Sequence, residues 1–365
     1  MGHRVNTGIG FVFVLTTFLL LWRWEQLSLN EGSRCLSQEK CAPGASQYVI
    51  LLSYARSGSS LTGGIIAEHP DVFMYFEPLH NLAKMFGPQQ DEYEKMTNRH
   101  LYLTRIATYN QLASPVIEKL LTCDYRNLSR MFSMSRSAYD FASTKELYNC
   151  VNISKTPEEE TECLRLGQER CRQKPVRLIK TIRLSVDQAG IFLNSHPCAK
   201  LIFLIKDPRG SHQSKTKLFE VFGYSAANIQ RFCWRLDTDL SAATKLREQY
   251  PDRVYITRFE DLAMKPLLAS KRIYDFIGLE FTEKVSKFVY DKTHAKKDTS
   301  GYFNSRVNAY QASYRWRKAI TLEAVRAYDN FCQKSFSELG YLPVRSTREL
   351  RNLSVPLLSG GAAVS

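Results

Sequence analysis

The stretch Tyr48-Val49-Ile50-Leu51-Leu52-Ser53-Tyr54-Ala55-Arg56-Ser57-Gly58-Ser59-Ser60-Leu61-Thr62 decides the fold. Its opening apolar run, Tyr48 to Leu52, reads as a strand buried on both faces, and it leads through small polar residues into a helix. Such a turn aims backbone N–H groups at an anion, and the helix N-terminus adds its partial positive charge. Gly58 permits close backbone approach, while Arg56, Ser57, Ser59 and Ser60 supply further donors and Leu61 completes the turn. The loop is, in physical terms, a cradle for phosphate or sulfate. It is not the GxxxxGK[ST] loop of nucleotide triphosphatases, because it has one glycine and no lysine followed by Ser or Thr; a kinase or ATPase is disfavoured. A serine-rich turn that only caps a helix has a similar composition, so the rest of the chain has to decide.

Outward from the loop, apolar runs alternate with helical patterns. Val72 to Phe76, Val176 to Ile182, Lys200 to Ile205 and Arg253 to Thr257 read as further strands. Ser60 to Glu68, Ser185 to Asn194 and Ser225 to Tyr250 read as helices, the last with Ile229, Phe232, Leu236, Leu240, Ala243 and Leu246 on one face. This alternation predicts an α/β fold, a P-loop-like parallel sheet flanked by helices. From about Lys84 to Lys174 the pattern weakens, and an insertion is expected there. The last residues, 346–365, are expected to form a poorly ordered tail.

The chain has 365 residues, 44% hydrophobic and 12% aromatic, enough for a large core and too apolar for a disordered protein. Its formal charge of +14 favours anionic partners without choosing among nucleic acid, nucleotide, acidic glycan and membrane surface. Gly8 to Trp22 is apolar apart from Thr16 and Thr17, follows His3 and Arg4, and is closed by Arg23 and Glu25. No small-x-small cleavage site follows, so an uncleaved type II signal anchor is favoured over a removed signal peptide. Either reading puts the remainder in the secretory lumen, and a nucleic-acid partner would not explain the anchor. The expected layout is a cytoplasmic tail over 1–6, an anchor over 7–24, a stem over 25–46, a folded domain over 47–345 and the tail. Asn127, Asn152 and Asn352 head glycosylation sequons. Nine cysteines suit disulfides in that compartment, the odd count leaves one over, and the absence of any CxxC pair argues against structural zinc.

The sequence resembles the Golgi carbohydrate sulfotransferases that sulfate the 6-hydroxyl of galactose, N-acetylgalactosamine or N-acetylglucosamine. The resemblance spans roughly Gln47 to Leu342 and rests on several motifs in the family's order. They are Arg56-Ser57-Gly58-Ser59-Ser60, His69-Pro70-Asp71-Val72, Phe76-Glu77-Pro78, Lys180-Thr181-Ile182-Arg183-Leu184, Leu204-Ile205-Lys206-Asp207-Pro208-Arg209-Gly210 and Arg258-Phe259-Glu260-Asp261-Leu262. It implies 3'-phosphoadenosine 5'-phosphosulfate as sulfuryl donor, no metal, a glycan or glycosaminoglycan acceptor, and a Golgi membrane location with a lumenal catalytic domain. By the same resemblance the loop from Arg56 to Leu61 holds the 5'-phosphosulfate, and Lys206 with Ser214 grips the 3'-phosphate. The family usually has arginine at position 206; lysine keeps the charge and loses the bidentate fork, for which Arg209 is a candidate substitute. The insertion would then border the acceptor.

Sulfuryl transfer needs a base for the acceptor proton and cations for charge growing on the leaving phosphate. Glu77 is the expected base, since it follows the Val72 to Phe76 strand and should emerge at the same sheet edge as the cradle. A glutamate that only forms a salt bridge beside Pro78 is the competing reading, and His80 and His69 are alternative bases. Ser305, Arg306, Arg315 and Arg317 are candidates to close over the nucleotide, against a reading as solvated basic surface. Two rival functions remain: a glycosyltransferase using Asp237-Thr238-Asp239 to hold a metal, and a non-catalytic glycan binder with the same fold. The Asp-x-Asp string falls on the expected Ser225 to Tyr250 helix, on the side away from Leu236 and Leu240, where acidic residues are ordinary solvent contacts.

Overall fold

The structure is a computed structural model that describes residues 40–85, 99–126, 128, 141–212, 226–299 and 305–359. Among these residues no helix is long and apolar enough to cross a membrane. The expected anchor, the sequon at Asn127 and the candidate ligand Ser214 lie outside them.

The centre is a five-stranded parallel sheet in the order β2-β3-β1-β4-β5. The strands are β1 (Gln47–Ser53), β2 (Val72–Phe76), β3 (Val176–Thr181), β4 (Ala199–Ile205) and β5 (Val254–Arg258), each within a residue of its expectation at either end. Both faces of the sheet are covered. Ile50, Leu52, Phe73, Tyr75, Ile179, Leu201 and Phe203 enter the core on one face, and Val49, Leu51, Met74, Phe76, Leu178, Ile202 and Leu204 enter it on the other. Burial on both sides is why the strands read as continuous apolar runs instead of alternating ones.

Helix α1 (Ser59–Ala67) leaves the β1 loop, and α2 (His80–Met85) follows β2. The expected insertion is helical where described: α3 (Arg99–Leu121), α4 (Lys145–Ile153) and α5 (Pro157–Arg172). Two disulfides, Cys123–Cys171 and Cys150–Cys163, hold it together. Tyr109, Ala113, Ile117 and Leu120 of α3 join the first core cluster, beside residues of α6 (Val186–Ser195) and α7 (Ala226–Gln249). A third disulfide, Cys233–Cys332, ties α7 to the C-terminal helices, and Cys41 and Cys198 are also in disulfides.

The C-terminal half continues through α8 (Phe259–Met264), α9 (Pro266–Ile277), α10 (Glu283–Thr293), α11 (Ala309–Tyr314), a short 3-10 turn at Arg315–Lys318, α12 (Leu322–Phe331), α13 (Gln333–Leu339) and α14 (Thr347–Arg351). The expectation of a poorly ordered end from Ser346 is corrected here. Leu350 and Leu357 are buried in a cluster with Trp316, Ile320, Val325 and Val344, and Leu358 forms a bridge with Tyr341.

Arg317 explains the correction. Its guanidinium, 1% exposed, donates to the carbonyls of Leu350 (3.0 Å), Val355 (2.8 Å), Glu349 (2.8 Å) and Asn352 (2.7 Å). A helix ends with carbonyls that lack donors, and a buried arginine supplies them here. Arg317 is therefore structural and does not close over a nucleotide. Arg317→Ala should strip those carbonyls of their donor and cost about 3 kcal/mol, measured by denaturant unfolding. A change below about 0.5 kcal/mol would show that the segment is held by its apolar contacts alone.

Candidate anion-binding active site

The chain passes from β1 leftward to β2 and from β4 rightward to β5, so the adjacent carboxyl ends of β1 and β4 form the crevice where ligands of open α/β sheets bind. Register places the site residues at this edge: Leu52 pairs with Thr181, Ser53 with Leu204, Phe76 with Lys180 and Ile205 with Arg258. The residues that follow, Arg56 to Ser60, Glu77, Arg183, Lys206 and Phe259, emerge together.

The cradle is built by backbone conformation. Arg56 (φ 67°) and Gly58 (φ 82°) are both left-handed, which turns the chain sharply from β1 into α1. A side chain pays about 1 kcal/mol or more in that region, so Arg56 is held there by its surroundings. Gly58 is also required sterically: a Cβ there would lie 2.1 Å from Cδ2 of Phe259. The first N–H groups of α1, from Ser59 to Leu61, have no carbonyl a turn earlier to bond and face the loop's opening. Ser57 and Ser59 are buried, at 1% and 4% exposure, and the Ser57 N–H donates to the Tyr54 carbonyl at 3.3 Å.

Cations converge on this loop. Lys206 follows β4 with its ammonium 5.2 Å from the centre of the Phe259 ring. Burial lowers its pKa, Glu260 and Asp207 oppose that, and Arg56 and Arg306 lower it further. Lys180 is lowered by burial against the support of Glu77, and Arg183 and Arg56 add to the depression. Arg306, lowered first by burial, also feels Arg56. Arg56 thus stands within electrostatic reach of Lys180, Lys206 and Arg306. An anion placed among them would relieve the mutual repulsion.

Glu77 occupies the edge beside the cradle, left-handed at φ 52° and 6% exposed. One carboxylate oxygen accepts from Lys180 and the other from Arg183, with the N–H of Ile182 at 3.4 Å. Burial alone would raise its pKa, but Lys180 and Arg183 together outweigh burial and leave it below the ordinary value. Glu77 is therefore ionised and is the salt-bridged glutamate of the competing reading. The pairing of β2 with β3 brings Lys180 and Arg183 against Glu77, a proximity that no spacing in the sequence signals.

The alternative bases separate. Arg183 Nη2 lies 2.8 Å from His80 Nδ1, and because arginine only donates, Nδ1 accepts and the neutral ring carries its proton on Nε2. Burial, Arg183 and Lys84 lower the His80 pKa against the pull of Glu77. Neither nitrogen is then available as a base. His69 follows α1 and precedes β2, at the opposite sheet edge, where Nδ1 accepts from the N–H of Asp71 at 3.2 Å.

Arg209 is a correction. Its side chain is 0% exposed and engages Asp207 (2.8 Å), Asp329 (2.8 Å) and the Leu342 carbonyl (2.9 Å). Trp316 and Phe336 cover it, with ring centres 5.5 and 4.8 Å from its guanidinium carbon. It shapes the loop after β4 from behind and cannot stand in for an arginine at 206. Arg315 pairs with Asp298 instead of reaching the cradle, and Ser305 donates its N–H to Thr299 Oγ1 at 2.8 Å.

The Asp-x-Asp string is likewise structural, and the expectation that its acids are solvent contacts is corrected. Asp239, 4% exposed, accepts from the Tyr54 hydroxyl at 2.7 Å and caps α6 by accepting from Val186 N–H at 3.0 Å. Asp237 accepts from Ser335. Of the sequon asparagines described, Asn152 and Asn352 are both exposed.

The fold is a parallel α/β sheet with a basic turn at its switch point, and comparison with known proteins specifies it. A model of the sulfotransferase family matches residues 49–283, and the chain belongs to that family. It is 28% identical to carbohydrate sulfotransferase 1 of Danio rerio over 85% of this chain and 81% of that protein. It is 27% identical to carbohydrate sulfotransferase 4 of Mus musculus over 95% of this chain and 93% of that one. Among solved structures, the sulfotransferase domain from the Synechococcus PCC 7002 olefin synthase aligns with a TM-score of 0.45 and 17% identity, covering 82% of this chain and 98% of that one. The protein is a sulfotransferase.

Glu260 gives the site a pH signature. It is 3% exposed, accepts from Asp207 N–H (3.0 Å) and Tyr341 hydroxyl (2.9 Å), and burial with the nearby Asp207 raises its pKa to about 7 against the opposing pull of Lys206. A carboxyl raised above its unfolded value contributes stability that is full below about pH 4 and is lost as pH rises through about 7. Glu260→Gln should therefore flatten the fall in stability between about pH 4 and 7, read from unfolding at several pH values. An unchanged slope would show that Glu260 stays ionised in the folded protein.

Proposed function

We propose that the protein transfers the sulfuryl group of 3'-phosphoadenosine 5'-phosphosulfate to a sugar hydroxyl, position 6 of galactose, N-acetylgalactosamine or N-acetylglucosamine, in a glycan or proteoglycan of the Golgi lumen. The observation that carries the reading is the convergence of Arg56, Lys180, Lys206 and Arg306 on a left-handed loop at a helix N-terminus. The relatives named carbohydrate sulfotransferases support a sugar acceptor. The apolar N-terminal segment and the sequons support a membrane-anchored, lumenal and glycosylated enzyme.

The donor supplies an activated sulfuryl group. The N–H groups of Ser59 to Leu61 and the Arg56 side chain hold its 5' end, and Lys206, with Ser214 by resemblance, holds the 3'-phosphate. As the acceptor oxygen bonds to sulfur and the bond from sulfur to phosphate oxygen breaks, Glu77 takes the acceptor proton. Arg56 and Lys180 balance the charge left on the phosphate. Lys180 pairs with Glu77 and lies within electrostatic reach of Arg56, so the cation that keeps the base ionised also adds to the charge around the cradle.

Radiolabelled donor, offered with galactose-, N-acetylglucosamine- and chondroitin-type acceptors, tests the reaction. Glu77→Gln should lower turnover per folded molecule by about 10² to 10⁴ while affinity for 3'-phosphoadenosine 5'-phosphate stays within a few fold. It should also lower the melting temperature, because Lys180 would be left buried without its counter-charge. Turnover that survives in the folded fraction would leave Glu77 as an ion-pair residue only.

A further inference from the structure

The first turn of α8 touches both halves of the anion site. Phe259 sets its ring behind Gly58, where a Cβ would stand 2.1 Å from Cδ2, and the same ring lies 5.2 Å from the Lys206 ammonium. Glu260 follows it. Its Oε1 accepts from the N–H of Asp207 at 3.0 Å, and its Oε2 accepts from the hydroxyl of Tyr341 at 2.9 Å. One carboxyl thus ties the residue next to Lys206 to the chain beyond α13. Charged and titratable groups face it from four directions: Lys206 and Asp207 after β4, Arg258 at the end of β5, Tyr314 at the end of α11 and Tyr341 after α13. Most of these are engaged elsewhere. Arg258 pairs with Asp261 at 2.8 Å, and Asp207 pairs with Arg209 at 2.8 Å. Among the described residues neither Lys206 nor Glu260 forms an ion pair, so each is left with the other's charge at longer range. Glu260, ahead of Asp207, is the carboxyl that supports the positive charge of Lys206.

We propose that Glu260 is a positioning residue of the donor site: its carboxyl fixes the loop that carries Lys206, and a negative charge on it competes with the donor's 3'-phosphate for that ammonium. This rests on the proposed function and deepens it, by making donor affinity depend on the proton held at Glu260. With the proton in place, one oxygen still accepts from the Asp207 N–H while the O–H donates to the Tyr341 oxygen, and the loop keeps its shape. Lys206 then answers the phosphate alone. Without the proton, carboxylate and phosphate share one ammonium and repel each other. The balance is poised, because burial and Asp207 raise the Glu260 pKa to about 7 against the pull of Lys206. An anion brought to Lys206 raises it further, so binding takes up a proton. Affinity is full below about pH 6 and falls as pH rises through about 7.

Calorimetric titration of the full-length protein with 3'-phosphoadenosine 5'-phosphate, in buffers of different ionisation enthalpy, reads affinity and proton uptake together. Glu260→Gln keeps the shape of the protonated carboxyl and cannot ionise. The ratio of parent to variant at each pH cancels the titration of the nucleotide's own phosphates. If binding raises the Glu260 pKa by about one unit, the parent should weaken about fivefold relative to Glu260→Gln between about pH 6 and 8. At about pH 7.5 it should also take up about half a proton more per nucleotide than the variant. A parent-to-variant ratio that is the same at every pH, with equal proton uptake, would leave Glu260 a structural residue and overturn the proposal. Should Glu260→Gln not fold, Tyr341→Phe takes its place: losing the hydroxyl donor raises the pKa of the carboxyl, so the fall in affinity should move to higher pH. A fall that stays where it is in the parent would overturn the proposal equally. A parent that binds no nucleotide would bring down the proposed function and this inference together, whereas binding without the proton difference would bring down the inference alone.

Discussion

Burying the ammonium of Lys180 is the constraint on which the rest of the site depends. An uncompensated buried charge costs several kcal/mol, so Lys180 requires a carboxylate at close range, and Glu77 on the neighbouring strand end provides it. That pairing fixes the end of β2 to the end of β3. It leaves the second oxygen of Glu77 to Arg183, whose other arm fixes the ring of His80. The left-handed backbone at Glu77 is what such a contact demands, and the surrounding ion pairs hold it.

The same principle, applied on the other side of β1, separates residues that look alike in sequence. Lys206 and Arg209 are three positions apart on one loop, yet one faces the cradle and the other is sealed behind it. Arg209 has Asp207, Asp329 and a carbonyl to neutralise it, and two aromatic rings above it. Lys206 has a phenyl face, the more distant Glu260 and Asp207, and the repulsion of two arginines. A cation fully paired within the fold serves the fold, and a cation pressed against other cations awaits a ligand.

Much of the fold was legible because its signal is local. Strands buried on both faces announce themselves as apolar runs, and the turn from Leu52 to Ser59 carries its own chemistry. What the sequence hid depends on depth and on distant partners. Arg317 reads as a surface cation until α14 is seen wrapped around it, and the tail reads as loose for the same reason. Asp239 reads as a solvent-facing acid on a helix until Tyr54 and the start of α6 are brought beside it. Lys180 and Arg183 lie in a strand and its loop with no spacing that points to Glu77, more than a hundred residues earlier.

The cations around Arg56 form an anion site and not a basic surface. Calorimetric titration of the full-length protein with 3'-phosphoadenosine 5'-phosphate, set beside Arg56→Ala, tests it most directly. Saturable one-to-one binding that weakens about tenfold or more in Arg56→Ala is the expected result. Equal affinity in parent and variant, or no saturable binding by the parent, would contradict it.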